Sequence, residues 1–195
     1  MLNEKLISAG NIHAKSMLIV QGYLNHFFTH INNFPLSCNV VFEQSYQESD
    51  GDSASLAILL AVISCYAKRP LAQNLFVTGS LDQQGNVLAI GGINQKIHAI
   101  TRLFNLQLLT EAVSVIIPKA NQINLTLDSQ TLLLVENKMI NIYAIDHCQE
   151  AFPLSMNCSF SDVIEQINDR IETINKDEDN DINDSWLTKL LALFK

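Results

Sequence analysis

The chain has 195 residues, a length that fits one compact domain with a packed core. Apolar residues make up 48% of the chain and charged residues 16%, which is typical of a globular protein and excludes an intrinsically disordered one. The formal net charge is −8, and the lysines and arginines are scattered, so no basic stripe is present that would bind a nucleic acid.

The cysteines and the longest apolar run bear on the compartment. The four cysteines are widely spaced and form no Cys-x-x-Cys pair: Cys38, Cys65, Cys148 and Cys158. Without a secretory leader they are interpreted as reduced thiols, and we expect a cytoplasmic protein. Leu56–Tyr66 has only about half of the ~20 apolar residues that span a bilayer, so no membrane association is expected.

Helical spacing of apolar residues predicts a first helix over Ile12–Ile31. A short β-prone run, Cys38–Phe42, and a polar loop, Glu43–Gly51, then lead to a second helix. This helix, Ser53–Ala67, is apolar on nearly every side after its first residues, and Pro70 is expected to close it. It is therefore predicted to be buried, although it starts with polar residues.

Strand and helix patterns alternate through the middle of the chain. Leu75–Thr78 and Val87–Ile90 are predicted strands, and the turn-rich stretch Gly79–Asn86 between them favours a hairpin or β-bend. Gly91-Gly92 then breaks the strand and opens a third helix, Ile93–Phe104. A strand, a helix, a strand and two helices follow at Val113–Ile117, Ser129–Glu136, Ile140–Ile145, Gln149–Pro153 and Ser161–Ile174. This alternation predicts an α/β or α+β domain.

The end of the chain differs in composition. Lys176–Asp184 is too acidic and polar to be buried, so the packed domain is predicted to end near Asn175 and residues 176–185 to form a linker. Residues 186–195 place Trp186 and several leucines on one side of a short amphipathic helix, which would dock on this domain or on a partner.

Ser53 stands where the polar loop becomes the buried helix, in the run Asp50–Ser55. Its hydroxyl would lie near unpaired N–H groups and the positive end of the helix dipole, where an oxyanion is stabilised. Taken alone, however, an Asp-Ser pair before a helix is more often a simple N-cap.

Lys96 lies near the start of the third predicted helix, and its apolar neighbours Ile93, Ile97 and Ile100 predict partial desolvation of its amine. A free lysine has a pKa of about 10.4, so a lysine becomes a usable base only when burial lowers that pKa. The alternative is an ordinary surface lysine. Thr78, at the end of a strand, would hold this amine through its hydroxyl, or would simply be a β-branched strand residue.

In combination and in this order, these elements resemble the proteolytic domain of Lon proteases. The resemblance runs from about Gly10 to Ile171. It is carried by five short stretches: Phe42–Tyr46, Asp50–Ser55, Thr78–Leu81, Gly91–Lys96 and Ile116–Pro118. The Gly-Asp-Ser-Ala-Ser form resembles archaeal-type Lon and bacterial Lon-like homologues more than the common bacterial enzyme.

The resemblance implies an α+β fold of the Lon proteolytic-domain type over residues 1–175, with mixed small sheets packed with helices. It implies a serine endopeptidase in which Ser53 attacks the peptide carbonyl, while Lys96 removes its proton and later protonates the leaving amine. Thr78 would orient Lys96. Asp52, beside Ser53, is expected to pair with Lys96 in the unliganded site and to raise the pKa of the amine. No cofactor or metal is implied for this chain.

The resemblance also suggests partners. Lon enzymes join this domain to an ATP-driven unfolding module, but the sequence contains no Gly-x-x-x-x-Gly-Lys-Ser/Thr motif. ATP would therefore act only through a separate ATPase module, and the expected substrates are unfolded polypeptides. The family's domain normally begins with β structure, so we expect some N-terminal strands to be missing here. Because Lon chains form hexameric rings, a homo-oligomer is expected, with a monomer or weak oligomer as the alternative.

Two other classes of function stay open. The first is a catalytically dormant binding or assembly domain of a Lon-like protein, which Ser53→Ala would leave intact. The second is a small-molecule kinase that binds phosphate at a helix start, although Asp50 and Asp52 would place negative charges there. Metal chemistry has little support, because the histidines lack ligand spacing to carboxylates or cysteines: His13, His26, His30, His98 and His147.

Overall fold

The computed structural model describes residues 11–28, 40 and 51–174. The helices in these ranges are α1 (Asn11–Phe27), α2 (Ser55–Ala67), α3 (Ile93–Asn105), α4 (Ser129–Glu136), α5 (Ala151–Met156) and α6 (residues 160–174). The strands are β1 (Leu75–Val77), β2 (Ser80–Leu81), β3 (Val87–Leu88), β4 (Val113–Pro118) and β5 (Ile140–Ile145), and 3-10 turns lie at Lys119–Asn124 and Cys148–Glu150. The predicted strand at Cys38–Phe42, the linker at 176–185 and the helix at 186–195 fall outside the described residues.

Two small sheets organise the described residues. In the first, β4 lies between β1 and β5 and runs parallel to both, with Phe76 opposite Val115 and Val115 opposite Ile142. In the second, β2 and β3 are antiparallel. Small parallel and antiparallel sheets packed with helices make this an α+β fold of the kind predicted from the resemblance to the Lon proteolytic domain.

The turn-rich stretch does reverse the chain, but the predicted hairpin alternative, in which Leu75–Thr78 would pair with Val87–Ile90, is wrong. The first of these strands pairs with β4, and β3 pairs instead with β2, which lies inside the predicted turn. The reversal of direction is confined to residues 82–86, where the Asp82 carboxylate accepts hydrogen bonds from the Gln84 and Asn86 N–H groups. Burial of Leu81 favours a paired strand over an exposed turn at this position.

The parallel sheet separates two hydrophobic cores. The larger core surrounds α2, which buries residues on most of its circumference as its composition predicts, and includes α1, α5 and α6. The smaller core lies between the sheet and α3, whose Ile93, Ile97 and Ile100 face β4 residues such as Val115. Each fully buried aliphatic side chain stabilises the fold by about 1.5–3 kcal/mol, so both helices are firmly anchored.

The boundaries of α2 and α3 follow from backbone conformation. α2 begins two residues later than predicted and ends at Ala67 because Lys68 adopts a left-handed conformation (φ 50°), before Pro70 is reached. α3 follows Gly92, whose φ of 69° is a conformation that glycine adopts without strain. No helix in the described ranges is long and apolar enough to cross a bilayer.

Candidate active site

Ser53 and Lys96, 43 residues apart in sequence, meet at one end of the parallel sheet. Ser53 lies in the turn that immediately precedes α2, and Lys96 lies in the first turn of α3. The Lys96 Nζ donates a hydrogen bond to Ser53 Oγ at 3.2 Å. The packing of the two helices against the sheet thus places an amine beside a hydroxyl.

The turn carrying Ser53 is attached to the segment that follows β1. The Ser53 carbonyl accepts a hydrogen bond from the Gly79 N–H at 2.8 Å, and the Gly79 carbonyl accepts one from the Leu56 N–H at 3.2 Å. A Cβ atom at position 79 would lie 2.9 Å from Val87 Cγ1 and 3.3 Å from Leu56 Cδ2, so the packing of these two side chains against residue 79 favours glycine.

Thr78 acts on Ser53 and not on Lys96. Its Oγ1 donates to the Ser53 carbonyl oxygen at 3.2 Å. The expectation that Thr78 holds the Lys96 amine is therefore wrong for this structure. The hydroxyl instead provides the second hydrogen bond to the carbonyl that Gly79 already contacts.

Asp52 and Lys96 form no ion pair, so the expected contact between them is also wrong. The Asp52 carboxylate is exposed and accepts a hydrogen bond from Ser80 Oγ at 3.0 Å. Ser80 is 4% exposed, and a hydroxyl that is removed from water needs such a partner.

The predicted desolvation of Lys96 is not seen either. Its side chain is exposed, because Ile93, Ile97 and Ile100 occupy the face of α3 that packs into the smaller core and Lys96 lies outside that face.

A cavity of about 320 Å³ opens beside the Ser53 hydroxyl and Lys96. Its walls come from the inner face of α3 and from the facing strands, and they are mainly apolar. They include Phe76, Ile93, Ile97, Ile100, Leu103 and Val115. An apolar group bound there would lie next to the serine–lysine pair.

Two backbone N–H groups at the start of α2 are free to bind a ligand. Within the described ranges, the N–H groups of Ser53 and Ala54 donate to no backbone or side-chain acceptor. They lie at the N-terminal end of a helix, where the helix dipole favours negative charge. The arrangement suits an oxygen that carries developing negative charge.

Comparison with known families decides the identity of this domain. Residues 39–157, more than half of the chain, match the Lon protease (S16) C-terminal proteolytic domain. The chain belongs to the Lon protease family. The predicted family is thereby confirmed, and the chain carries a domain of a peptidase family.

Individual Lon relatives support the same assignment. The chain is 41% identical over 156 residues to a protein named as a Lon protease homolog in Escherichia coli (strain K12), covering 80% of this chain and 27% of the relative. It is 36% identical over 168 residues to such a homolog of Haemophilus influenzae, covering 86% of this chain and 28% of the relative. It is 42% identical over 115 residues to the archaeal Lon protease of Methanocaldococcus jannaschii, covering 59% of this chain and 15% of the relative. The chain spans less than a third of the length of these Lon proteins.

Sequence reasoning missed two residues that shape this Lon site. Ser55 is 1% exposed, and its hydroxyl contacts both segments that meet at Ser53. Asn121 is 4% exposed, and its amide accepts from the Ile90 N–H at 2.9 Å and donates to the Ile90 carbonyl at 3.0 Å, which holds the segment leading into α3. A serine at the start of a mostly apolar helix is the local signal for Ser55, whereas Asn121 has no such signal.

The described residues of this Lon domain include no group of three or more His, Cys, Asp or Glu side chains placed to share a metal ion. A salt bridge between His98 Nδ1 and Asp128 Oδ2 (3.0 Å) lies beside a second cavity of about 490 Å³. The lining of that cavity includes neither Ser53 nor Lys96.

Proposed function

We propose that this chain is a serine endopeptidase that cleaves peptide bonds of unfolded polypeptides, with Ser53 as nucleophile and Lys96 as general base. The observation that carries the proposal is the hydrogen bond between Lys96 Nζ and Ser53 Oγ. Its length of 3.2 Å is within the distance that direct proton transfer requires. Membership of the Lon protease family supports the reaction class.

The proposed reaction uses side chains and backbone groups of this chain and no cofactor. Ser53 Oγ attacks the peptide carbonyl carbon as its proton passes to the neutral Lys96 amine. The oxyanion lies near the N–H groups of Ser53 and Ala54. Lys96 then donates the proton to the leaving amine, and water hydrolyses the acyl-serine ester with Lys96 again as base.

Thr78 is proposed to position Ser53 and not Lys96, because its hydroxyl donates to the Ser53 carbonyl. Asp52 is proposed as a supporting residue through its hydrogen bond with Ser80.

The apolar cavity suggests which peptides are preferred. Its volume of about 320 Å³ and its walls of isoleucine, leucine and phenylalanine suit a branched apolar side chain next to the scissile bond. Peptides with leucine there are expected to be better substrates than peptides with a charged residue, which would lose its hydration on binding.

Partners and location are proposed from family membership. A separate ATP-dependent unfoldase module and further copies of the chain are the proposed partners, and the cytoplasm is the proposed compartment. The chain covers 27% of the Escherichia coli relative and 28% of the Haemophilus influenzae relative, so these proposals concern the domain within a larger system.

One observation favours the second candidate, a catalytically dormant binding or assembly domain. The Lys96 side chain is exposed, whereas lysines that act as bases are usually shielded from water.

The wild-type chain and its Ser53→Ala and Lys96→Ala variants would be incubated with an unfolded casein without ATP, and fragments followed by mass spectrometry. Ser129→Ala and Lys15→Ala, which change exposed residues of the same types, are the matched controls. The wild type and controls should cleave, while the other two variants should lose several orders of magnitude in kcat. Absence of cleavage by the wild type would favour the dormant domain, and cleavage by Ser53→Ala would exclude Ser53 as the nucleophile.

A further inference from the structure

The buried hydroxyl of Ser55 joins the two backbone segments that meet beside Ser53. Its Oγ donates to the Asp52 carbonyl at 2.8 Å, approaches the Gly79 carbonyl at 3.3 Å, and accepts the Leu81 N–H at 2.9 Å. A hydroxyl has one proton and two lone pairs, so the group is close to fully used. Ser55 is 1% exposed, and a hydroxyl removed from water in this way would destabilise the folded protein if these hydrogen bonds were not made.

These contacts fix the peptide groups on both sides of Ser53. On the N-terminal side, the Asp52 carbonyl is held by both the N–H and the hydroxyl of Ser55. On the C-terminal side, the Ser53 carbonyl is held by the Gly79 N–H and the Thr78 hydroxyl. The orientation of Ser53 therefore depends on the distance between its turn and residues 78–81.

The Ser55 hydroxyl bridges these two segments from the interior. Of the three hydroxyls that link the turn to residues 78–81, only that of Ser55 bonds backbone groups of both segments. Without it, the Leu81 N–H has no acceptor in the described part of the chain, and the Asp52 carbonyl keeps only the bond within its own turn.

We infer that Ser55 is a positioning residue for the proposed nucleophile, an inference that rests on the proposed peptidase function. Its hydroxyl sets the direction in which Ser53 Oγ faces Lys96 and in which the free N–H groups of Ser53 and Ala54 point. It touches no reacting atom. Misplacement of a reacting group by about 1 Å costs on the order of 100-fold in rate, so a small shift of this turn is sufficient to be measured.

The test measures kcat and KM separately for a fluorogenic peptide with leucine at the cleavage site. Ser55→Ala should lower kcat by about 10- to 100-fold while KM changes by less than about two-fold, because the apolar cavity is left intact. Ser55→Thr, which keeps the hydroxyl, should restore kcat to within a few-fold of the wild type.

Ser155→Ala is the matched control. Ser155 is also 1% exposed and also bonds a backbone carbonyl, that of Phe152, but it lies in α5 and does not line the cavity. It should show the loss of stability expected for a buried serine with kcat unchanged. Thermal unfolding of each variant shows whether the assay is made on folded protein.

Equal kcat values for Ser55→Ala and Ser155→Ala would overturn the positioning role of Ser55. The peptidase proposal would stand, because both variants would still cleave the peptide. A wild-type chain that does not cleave the peptide would overturn the peptidase proposal and this inference with it. If Ser55→Ala does not fold, Ser55→Cys decides, because a thiol is close in size and a weak hydrogen-bond partner. A lower kcat at constant KM supports the positioning role, and an unchanged kcat contradicts it.

Discussion

Cys148 and Tyr23 form a buried contact between α1 and the turn that follows β5. The Cys148 Sγ donates to the Tyr23 hydroxyl at 3.1 Å, and both side chains are at most 1% exposed. Burial raises the pKa of the Cys148 thiol to about 11. The pKa of Tyr23 is also raised, mainly by burial and to a smaller extent by the neighbouring Cys148. Within the described residues, Cys65, Cys148 and Cys158 form no disulfide.

This environment predicts selective thiol chemistry. At pH 8 iodoacetamide should modify the exposed Cys65 rapidly, while Cys148 should react at least about 100-fold more slowly, because its pKa is raised from 9.0 to about 11 and its thiolate is scarce. Peptide mapping after timed labelling measures both rates. Labelling in denaturant should abolish the difference, and equal rates in the native protein would contradict the buried placement of Cys148.

The raised pKa of Cys148 also makes the stability of the fold depend on pH. Because the folded pKa lies above the unfolded value of 9.0, the Cys148 contribution to stability is complete below pH 9 and is lost as the pH rises through about 11.

At the scale of elements, α6 supports the helix that begins beside Ser53. Arg170 on α6 donates from Nη1 to the carbonyls of Cys65 and Tyr66, at 3.0 and 2.7 Å. Both carbonyls belong to the last turn of α2, where a cation interacts favourably with the helix dipole, and the Cys65 carbonyl also accepts from the Lys68 N–H at 3.3 Å.

Arg170→Met, which keeps most of the aliphatic stem, is therefore expected to lower the free energy of unfolding by about 1–2 kcal/mol. Urea denaturation followed by circular dichroism measures the change. Arg102→Met is the control, because Arg102 is exposed on α3 and the described residues provide no hydrogen-bond acceptor for it. Its effect should stay within about 0.5 kcal/mol. Equal effects of the two substitutions would show that the α2 contacts of Arg170 are not stabilising.

At the scale of the molecule, the proposed site lies where the two hydrophobic cores meet. Ser53 precedes α2 of the larger core, and Lys96 belongs to α3 of the smaller core. The distance between their side chains therefore depends on how both cores pack against the parallel sheet. The adjoining cavity of about 320 Å³ admits a side chain of an extended peptide and not a folded domain.

This geometry predicts discrimination by substrate conformation. Reduced, carboxymethylated ribonuclease A should be cleaved, whereas native ribonuclease A, with the same sequence, should resist. Addition of ATP should change neither rate, because the sequence contains no Gly-x-x-x-x-Gly-Lys-Ser/Thr motif. Gel electrophoresis of timed samples measures both substrates. Equal cleavage of the native form, or stimulation by ATP, would contradict the prediction.

Elements whose signals are local could be predicted from the sequence. The helix Ser129–Glu136 and the strand Ile140–Ile145 have the bounds that their residue patterns predict, and α3 differs from its prediction by one residue. Short stretches in a fixed order also predict the family, and the match to residues 39–157 confirms it. Helix periodicity and turn residues depend mainly on neighbours in sequence, so the elements that they specify can be predicted without knowledge of the tertiary structure.

The pairing of the strands and the hydrogen bonds around Ser53 depend on the packing of the whole chain. β1 lies beside β4 and not β3, and side chains of both β1 and β4 pack against the two cores. The hydroxyl of Thr78 and the carboxylate of Asp52 were expected to act on Lys96, but they bond the Ser53 carbonyl and Ser80. Backbone carbonyls and buried hydroxyls as distant in sequence as these become available only when the chain packs, and the nearest unsatisfied group then determines each partner.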